Sequence, residues 1–143
     1  MKKVKQIMRT GIPTLKPDMQ VKEILAVMEK NVSFGLAVED KGEIVGILTD
    51  GDLISAYCRT LNSYSYEEEK SNDSWKNRLQ AFKDWRAKDM MSQRPKTINE
   101  DADVSKAADI IKKYKFRRLI VVDAKGKYVG LVNRVAILKG ALE

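Results

Sequence analysis

An internal repeat constrains this chain more than any other feature of its sequence. Matching residues recur at a spacing of 83 or 84 positions: Thr14 and Thr97, Asp18 and Asp101, Val21 and Val104, 36–40 and 119–123, and 46–48 and 130–132. Because the offset drifts by only one residue, both halves should contain the same succession of elements. One copy is too small to bury both faces of a sheet. We therefore expect the copies to pack about a pseudo-twofold axis, leaving clefts between them.

Each copy has the pattern of an extended piece, a helix, a β-hairpin and a second helix. Pro13 disfavours helix in the opening piece, and apolar residues at helical spacing follow it. Two apolar runs joined by a polar turn then predict an antiparallel hairpin. In the first copy these elements occupy residues 11–15, 21–31, 36–48 and 52–61. The fold class predicted is α/β of the α+β type.

The stretch between the repeats has a different composition. Residues 1–61 and 87–143 form the repeats, and residues 62–86 form a linker whose first part, 62–73, is polar and without an apolar period. From Ser74 onward, Trp75, Leu79 and Phe82 fall on one helical face. Such an aromatic stripe is more often packed on its own domain, and partner docking is the alternative.

Residue types that are scarce or absent exclude several classes of chemistry. With Cys58 as the only cysteine, no internal disulfide can form, and with no histidine the common zinc sets and His-based triads are excluded. We predict no metal site and no enzyme. No apolar run approaches the roughly 20 residues needed to span a bilayer, and the start lacks a signal-peptide core, so a cytoplasmic protein is expected.

Positive charge is concentrated in the second repeat. Residues 1–86 carry 14 basic and 13 acidic side chains, a net of +1, whereas residues 87–143 carry 13 and 7, a net of +6. This excess suits a nucleotide phosphate, an acidic partner or nucleic acid, and a solvated basic face is the plainer alternative.

A candidate binding corner lies where the first hairpin ends. The apolar run stops at Thr49, and Asp52 follows three residues later as helical spacing begins. Free backbone amides at a helix start attract phosphate, and a carboxylate accepts hydrogen bonds from ribose hydroxyls. The same residues also fit a capping box that serves only the helix. The local pattern leaves both interpretations open.

Two recurring segments resemble those of the cystathionine β-synthase (CBS) domain. They are the Gly-apolar-apolar-Thr-x-x-Asp close at 46–52 and the Arg-Leu-apolar-Val-Val-Asp strand at 118–123. The resemblance covers residues 1–61 and 87–143 and implies a tandem pair, or Bateman module. Such modules are regulatory and bind AMP, ADP, ATP or S-adenosylmethionine between the repeats, with no cofactor required.

The resemblance also implies which residues contact the ligand. The sugar and phosphate side of one cleft would be Thr49, Asp50 and Asp52. The adenine and phosphate side would be Pro95, Lys96, Thr97, Phe116, Arg117, Arg118 and Leu119. A second cleft would use Thr14, Phe34, Gly35, Asn133 and Arg134, but Ala136 stands where that cleft should carry its Asp. Asn133 can still cap the helix, so we expect one dominant adenosine site.

Partners follow from the same resemblance. The family arrangement places apolar helix faces at the module's edges, which predicts a homodimer through Leu53, Ile54, Tyr57, Val135, Leu138 and Leu142, with the helix from Trp75 to Trp85 over the contact. Because the repeats fill the chain, the regulated effector would be another protein. The alternatives are a basic nucleic-acid-binding protein, for which no known motif is present, and a scaffold that binds no ligand.

Overall fold

The computed structural model describes residues 1–62 and 72–143, and its fold is of the mixed α+β class. In chain order the elements are a 3-10 helix (Val4–Gln6), α1 (Val21–Asn31), β1 (Gly35–Asp40), β2 (Glu43–Thr49), α2 (Asp50–Asn62), α3 (Asn72–Lys83), α4 (Ala87–Met90), β3 (Ser92–Gln93), β4 (Thr97–Asn99), α5 (Val104–Tyr114), β5 (Arg118–Val122), β6 (Tyr128–Asn133) and α6 (Arg134–Leu142). Both predicted hairpins and both repeats of the element pattern are confirmed. Most of the predicted polar linker, residues 63–71, lies outside the described residues.

One compact unit comprises Pro13–Asp40 and Gly46–Gln93, and we call it the first-repeat unit. Its sheet has the order β1-β2-β3, with β3 antiparallel to β2. Leu15, in the opening extended piece, forms a parallel bridge with Val38 of β1. The core side chains are fully buried, among them Leu15, Ile24, Leu36, Val38 and Leu48. The sheet and α1 therefore bury their apolar faces within this unit.

The other compact unit comprises Met1–Ile12, Lys41–Val45 and Arg94–Glu143, and we call it the second-repeat unit. Its sheet has the order β4-β5-β6: β4 runs parallel to β5, and β6 is antiparallel to β5. The buried core consists of Val4, Ile98, Val104, Ala107, Ile111, Leu119, Val121, Val132 and Ile137. Val4 belongs to the opening segment of the chain but packs in this core.

The compact units and the sequence repeats are therefore not the same stretches. Arg9 forms an antiparallel bridge with Leu131 of β6, and Gln93 pairs in the same way with Gly46 of β2. Each hairpin thus receives, at the edge of its second strand, a segment from the start of the other repeat. These segments pair with backbone groups that an exposed strand edge would leave open.

The glycine that opens each repeat's closing motif is required by this exchange. A Cβ atom added at Gly46 would lie 2.9 Å from the Ser92 carbonyl oxygen, and one added at Gly130 would lie 2.5 Å from that of Arg9. Both distances are shorter than the closest approach of a Cβ atom to a backbone carbonyl oxygen. Only glycine lets the exchanged segment approach the strand this closely.

The helix that follows β2 starts earlier than its apolar spacing indicates. The apolar spacing predicts a start at Asp52, but α2 begins at Asp50, directly after the strand. Leu53, which we predicted on an outer face, is only 4% exposed, whereas its neighbour Ile54 is 63% exposed. The prediction for Leu53 was wrong, because helical spacing locates an apolar stripe without showing what it packs against.

The aromatic helix α3 packs within the first-repeat unit. The Phe82 ring lies edge-on to Tyr57 of α2, with 5.3 Å between ring centroids. The helix ends at Lys83, short of the predicted end at Trp85, and the Trp85 ring centre lies 4.9 Å from the Arg59 guanidinium. The stripe thus contacts its own domain, and Tyr57 is partly covered by it. Within residues 1–62 and 72–143, no helix has the length and apolar character to cross a membrane.

Candidate functional site

Thr49 and Asp52 form a closed set of hydrogen bonds where β2 meets α2. The backbone N–H and the hydroxyl of Thr49 both donate to Oδ2 of Asp52, at 2.9 and 3.1 Å. The Asp52 N–H donates in return to Thr49 Oγ1, at 3.3 Å. This reciprocal geometry is that of a capping box. It holds the half-buried Asp52 carboxylate in one orientation at the start of α2.

The capping geometry does not use the whole carboxylate. Within the part of the chain that the structure describes, the hydrogen bonds of Asp52 reach only Oδ2. The lone pairs of Oδ1 can therefore accept hydrogen bonds from a ligand's hydroxyl groups. The neighbouring Asp50 carboxylate accepts from the Gly51 N–H at 2.9 Å, so its Oδ1 is turned back onto the first turn of α2.

Several predicted residues of the second cleft lie in the same unit as this corner. The Asp50 N–H donates to the Phe34 carbonyl oxygen at 2.9 Å, which ties the start of α2 to the residue before β1. The Phe34 side chain is half exposed, Gly35 is buried and Thr14 is half-buried. The first-repeat unit thus holds Thr14, Phe34, Gly35, Thr49, Asp50 and Asp52. All the other predicted site residues lie in the second-repeat unit.

In the second-repeat unit, Phe116 belongs to an aromatic and basic cluster. Its ring stacks on Tyr114, with 5.6 Å between centroids and 15° between planes. Lys96 and Lys113 place their ammonium groups 4.8 and 5.3 Å from the Tyr114 ring centre. The Lys96 ammonium, as a hydrogen-bond donor, and then the charge of Lys113 lower the pKa of the Tyr114 phenol. Tyr114 and Lys113 were not among the predicted site residues, and only their position beside Phe116 could have indicated them.

The arginines predicted for the phosphate lie beside the residues of the second cleft. Arg118 of β5 is paired with Asn133 of β6, and the Nε of Arg134 donates to the Phe116 carbonyl oxygen at 2.8 Å. Arg117 is exposed and Arg118 is half-buried. Together these positions make the edge around β5 and the start of α6 strongly cationic.

Two other predicted residues have clear structural roles. Asn133 accepts a hydrogen bond from the Ala136 N–H at 2.8 Å, which confirms it as the N-cap of α6. The Leu119 side chain is 1% exposed and belongs to the core, so only its backbone is available to a ligand. Pro95, Lys96 and Thr97 lead into β4, where Thr97 pairs with Ile120. Among the described residues, no cluster of cysteines and carboxylates could hold a metal ion.

Curated relatives share both repeats. Over 136 residues the chain is 34% identical to the "probable arabinose 5-phosphate isomerase" of Haemophilus influenzae, covering 92% of this chain and 34% of that protein. Over 144 residues it is 32% identical to the chloroplastic CBS domain-containing protein CBSX1 of Arabidopsis thaliana, covering 94% and 61%. The chain therefore spans less than two thirds of the length of each of these relatives.

A crystal structure of CBSX2 from Arabidopsis thaliana in complex with AMP has the same fold. The TM-score is 0.75 at 25% identity, covering 99% of this chain and 97% of that one. The family model of the CBS domain matches residues 4–59 and again residues 87–143. With both repeats matched in sequence and structure, the chain belongs to the CBS-domain family as a tandem pair.

Proposed function

We propose that this chain is a regulatory module that binds an adenosine nucleotide, with Thr49 and Asp52 on the sugar and phosphate side. The observation that carries the proposal is the fixed carboxylate of Asp52, whose Oδ1 remains available beside the amides of a helix start. CBSX2, which has the same fold, forms a complex with AMP, and this supports an adenosine compound. The family resemblance assigns the adenine and phosphate contacts to residues of the second repeat, Pro95–Thr97 and Phe116–Leu119.

The two repeats differ in a way that favours one site over two. Both helices that follow the hairpins are capped, α2 by Thr49 and Asp52 and α6 by Asn133. Only the first repeat has a carboxylate at the third position of that turn, because Ala136 stands at the equivalent place in the second. Capping alone does not require Asp52, since α6 starts without its counterpart. A ligand contact accounts for the difference.

Regulation by such a module requires a difference in affinity between two states of the protein. A nucleotide that contacts both repeats favours the arrangement it binds better, and this population shift is what a partner would detect. We propose that the effector is a separate protein or a further domain and that the module itself performs no catalysis. Titration with several adenosine compounds would identify the one that the module prefers.

Binding should be detectable without any knowledge of the effector. We expect calorimetry with AMP, ADP, ATP and S-adenosylmethionine to give about one site per chain for at least one ligand, which should also raise the melting temperature with concentration. Mass spectrometry of small molecules released from the purified protein would identify a co-purified ligand. Two equal sites would contradict the asymmetry, and no binding by any of the four would contradict the function.

We also propose that the chain forms a homodimer through the exposed apolar residues of both predicted patches, Ile54 on α2 and Val135, Leu138 and Leu142 on α6. Leu53 is buried and Tyr57 is partly covered by Phe82, so Ile54 is the residue of the predicted first patch that is free to be buried. Light scattering at tens of micromolar should give a dimer for the parent chain and a monomer for Ile54→Asp. Leu138→Asp, an equivalent change on α6, should also weaken the dimer. A monomeric parent chain would contradict this proposal.

A further inference from the structure

The stacked rings of Tyr114 and Phe116 are brought together by the way α5 ends. Tyr114 is the last residue of that helix, and Lys115 follows it in the left-handed conformation, with a φ of 58°. The Phe116 N–H then donates to the Ile111 carbonyl oxygen at 3.2 Å. Side chains two residues apart on a continuous helix do not face each other, so the stack depends on this reversal of the chain.

The two rings have different surroundings. Phe116 packs against the buried core of the second-repeat unit, whereas Tyr114 is 40% exposed. Their nearly parallel planes and the 5.6 Å between centroids are typical of an offset stack. The ammonium groups of Lys96 and Lys113 lie over the Tyr114 ring and hold it by cation–π contacts. Contacts with the core and with Tyr114 together limit the orientations open to the Phe116 ring.

The first repeat makes the same turn without aromatic residues. Its first helix, α1, also ends at a residue in the left-handed conformation, Val32, and the next N–H closes the same type of hydrogen bond. The equivalents of Tyr114 and Phe116, 83 positions earlier, are Asn31 and Ser33, whose side chains donate to nearby backbone carbonyl oxygens. The turn itself therefore does not account for the aromatic pair of the second repeat.

The aromatic pair and the Asp52 carboxylate each occur in one repeat only. Asp52 has no acidic counterpart in the second repeat, where Ala136 stands, and Phe116 has no aromatic counterpart in the first. The proposed function assigns Asp52 to the sugar and phosphate side and Phe116 to the adenine and phosphate side of one nucleotide. The repeats thus differ at residues assigned to both sides of a single ligand, which favours a role for the aromatic pair in binding.

We propose that Tyr114 is a positioning residue of the nucleotide site, holding the Phe116 ring in one orientation for contact with the adenine base. This role rests on the proposed function, since it requires a bound adenosine compound. A base that meets an already ordered aromatic ring pays less ordering entropy than one that must first fix the ring. Tyr114 would therefore act on the base, in contrast to Arg117 and Arg118, which would act on the phosphate.

Titrations of the full chain test this role, with adenosine and with AMP or whichever of the four adenosine compounds binds the parent chain most tightly. Tyr114→Ala should weaken both ligands by the same factor, about five- to tenfold, because the base is common to both. Tyr114→Phe keeps the ring and should bind nearly as well as the parent chain. When Phe116→Leu is already present, adding Tyr114→Ala should change the affinity little, because the ring through which Tyr114 acts is gone.

Asn31→Ala is the matched control, because Asn31 is the last residue of α1 and stands at the position of Tyr114 in the other repeat. It should leave both affinities unchanged. The role of Tyr114 is excluded, while the proposed function stands, if Asp52→Ala weakens binding and Tyr114→Ala does not. It is also excluded if Tyr114→Phe binds as poorly as Tyr114→Ala, or if Tyr114→Ala costs as much affinity with Phe116→Leu as without it. A parent chain that binds none of the four compounds would contradict the proposed function and this role together.

Discussion

Asp52→Ala is expected to weaken binding of AMP by about 100-fold or more. In the proposed site the carboxylate accepts hydrogen bonds from ribose hydroxyls, and each charge-assisted hydrogen bond contributes roughly 1.5–3 kcal/mol. Losing two of them costs at least about 3 kcal/mol, which is more than a hundredfold in affinity. Calorimetry with AMP on the parent chain and the variant measures the difference directly.

The same substitution also removes a helix cap, and this effect must be separated from ligand binding. Losing the cap should lower the free energy of unfolding of the free protein by about 1 kcal/mol. Asn133→Ala is the matched control, because it removes the hydrogen bond from Ala136 at the start of α6 without touching Asp52. It should cost similar stability and leave AMP affinity nearly unchanged. Equal loss of affinity in both variants would mean that Asp52 acts only as a cap.

Arg117→Ala and Arg118→Ala are expected to separate AMP from adenosine. If one of these arginines contacts the phosphate, its loss should weaken AMP binding by roughly 1.5–3 kcal/mol, or about 10- to 150-fold, and leave adenosine almost unaffected. The measurement is a pair of titrations, with AMP and with adenosine, on each variant and the parent chain.

Lys125→Ala controls for the general effect of removing one positive charge from the second repeat. It should change both affinities little, since interactions between exposed charges are weak and are screened by salt. Small and equal changes for the two ligands in both arginine variants would show that neither residue contacts the phosphate. The pairing of Arg118 with Asn133 gives that outcome a structural explanation, because it places Arg118 beside the residues assigned to the second cleft.

The sequence by itself determined the features that depend on neighbouring residues. The hairpins follow from apolar runs separated by a polar turn, and the tight hydrogen-bonded corner follows from a Thr and an Asp three residues apart. The capping role of Asn133 was predictable for the same reason. The repeat itself is visible as a constant offset, and it was sufficient to predict two copies of one α+β unit.

The tertiary structure alone decided which segments pack together. The openings of the two repeats have the same apolar pattern, so nothing local indicates that Arg9 pairs with β6 and Gln93 with β2. Helical spacing likewise could not show that Leu53 is buried while Ile54 is exposed. The packing of α5 against α6 is also tertiary, because strands β5 and β6 separate the two helices in the chain. Local patterns determine elements, but pairing and burial depend on contacts between residues far apart in the chain, which no single stretch encodes.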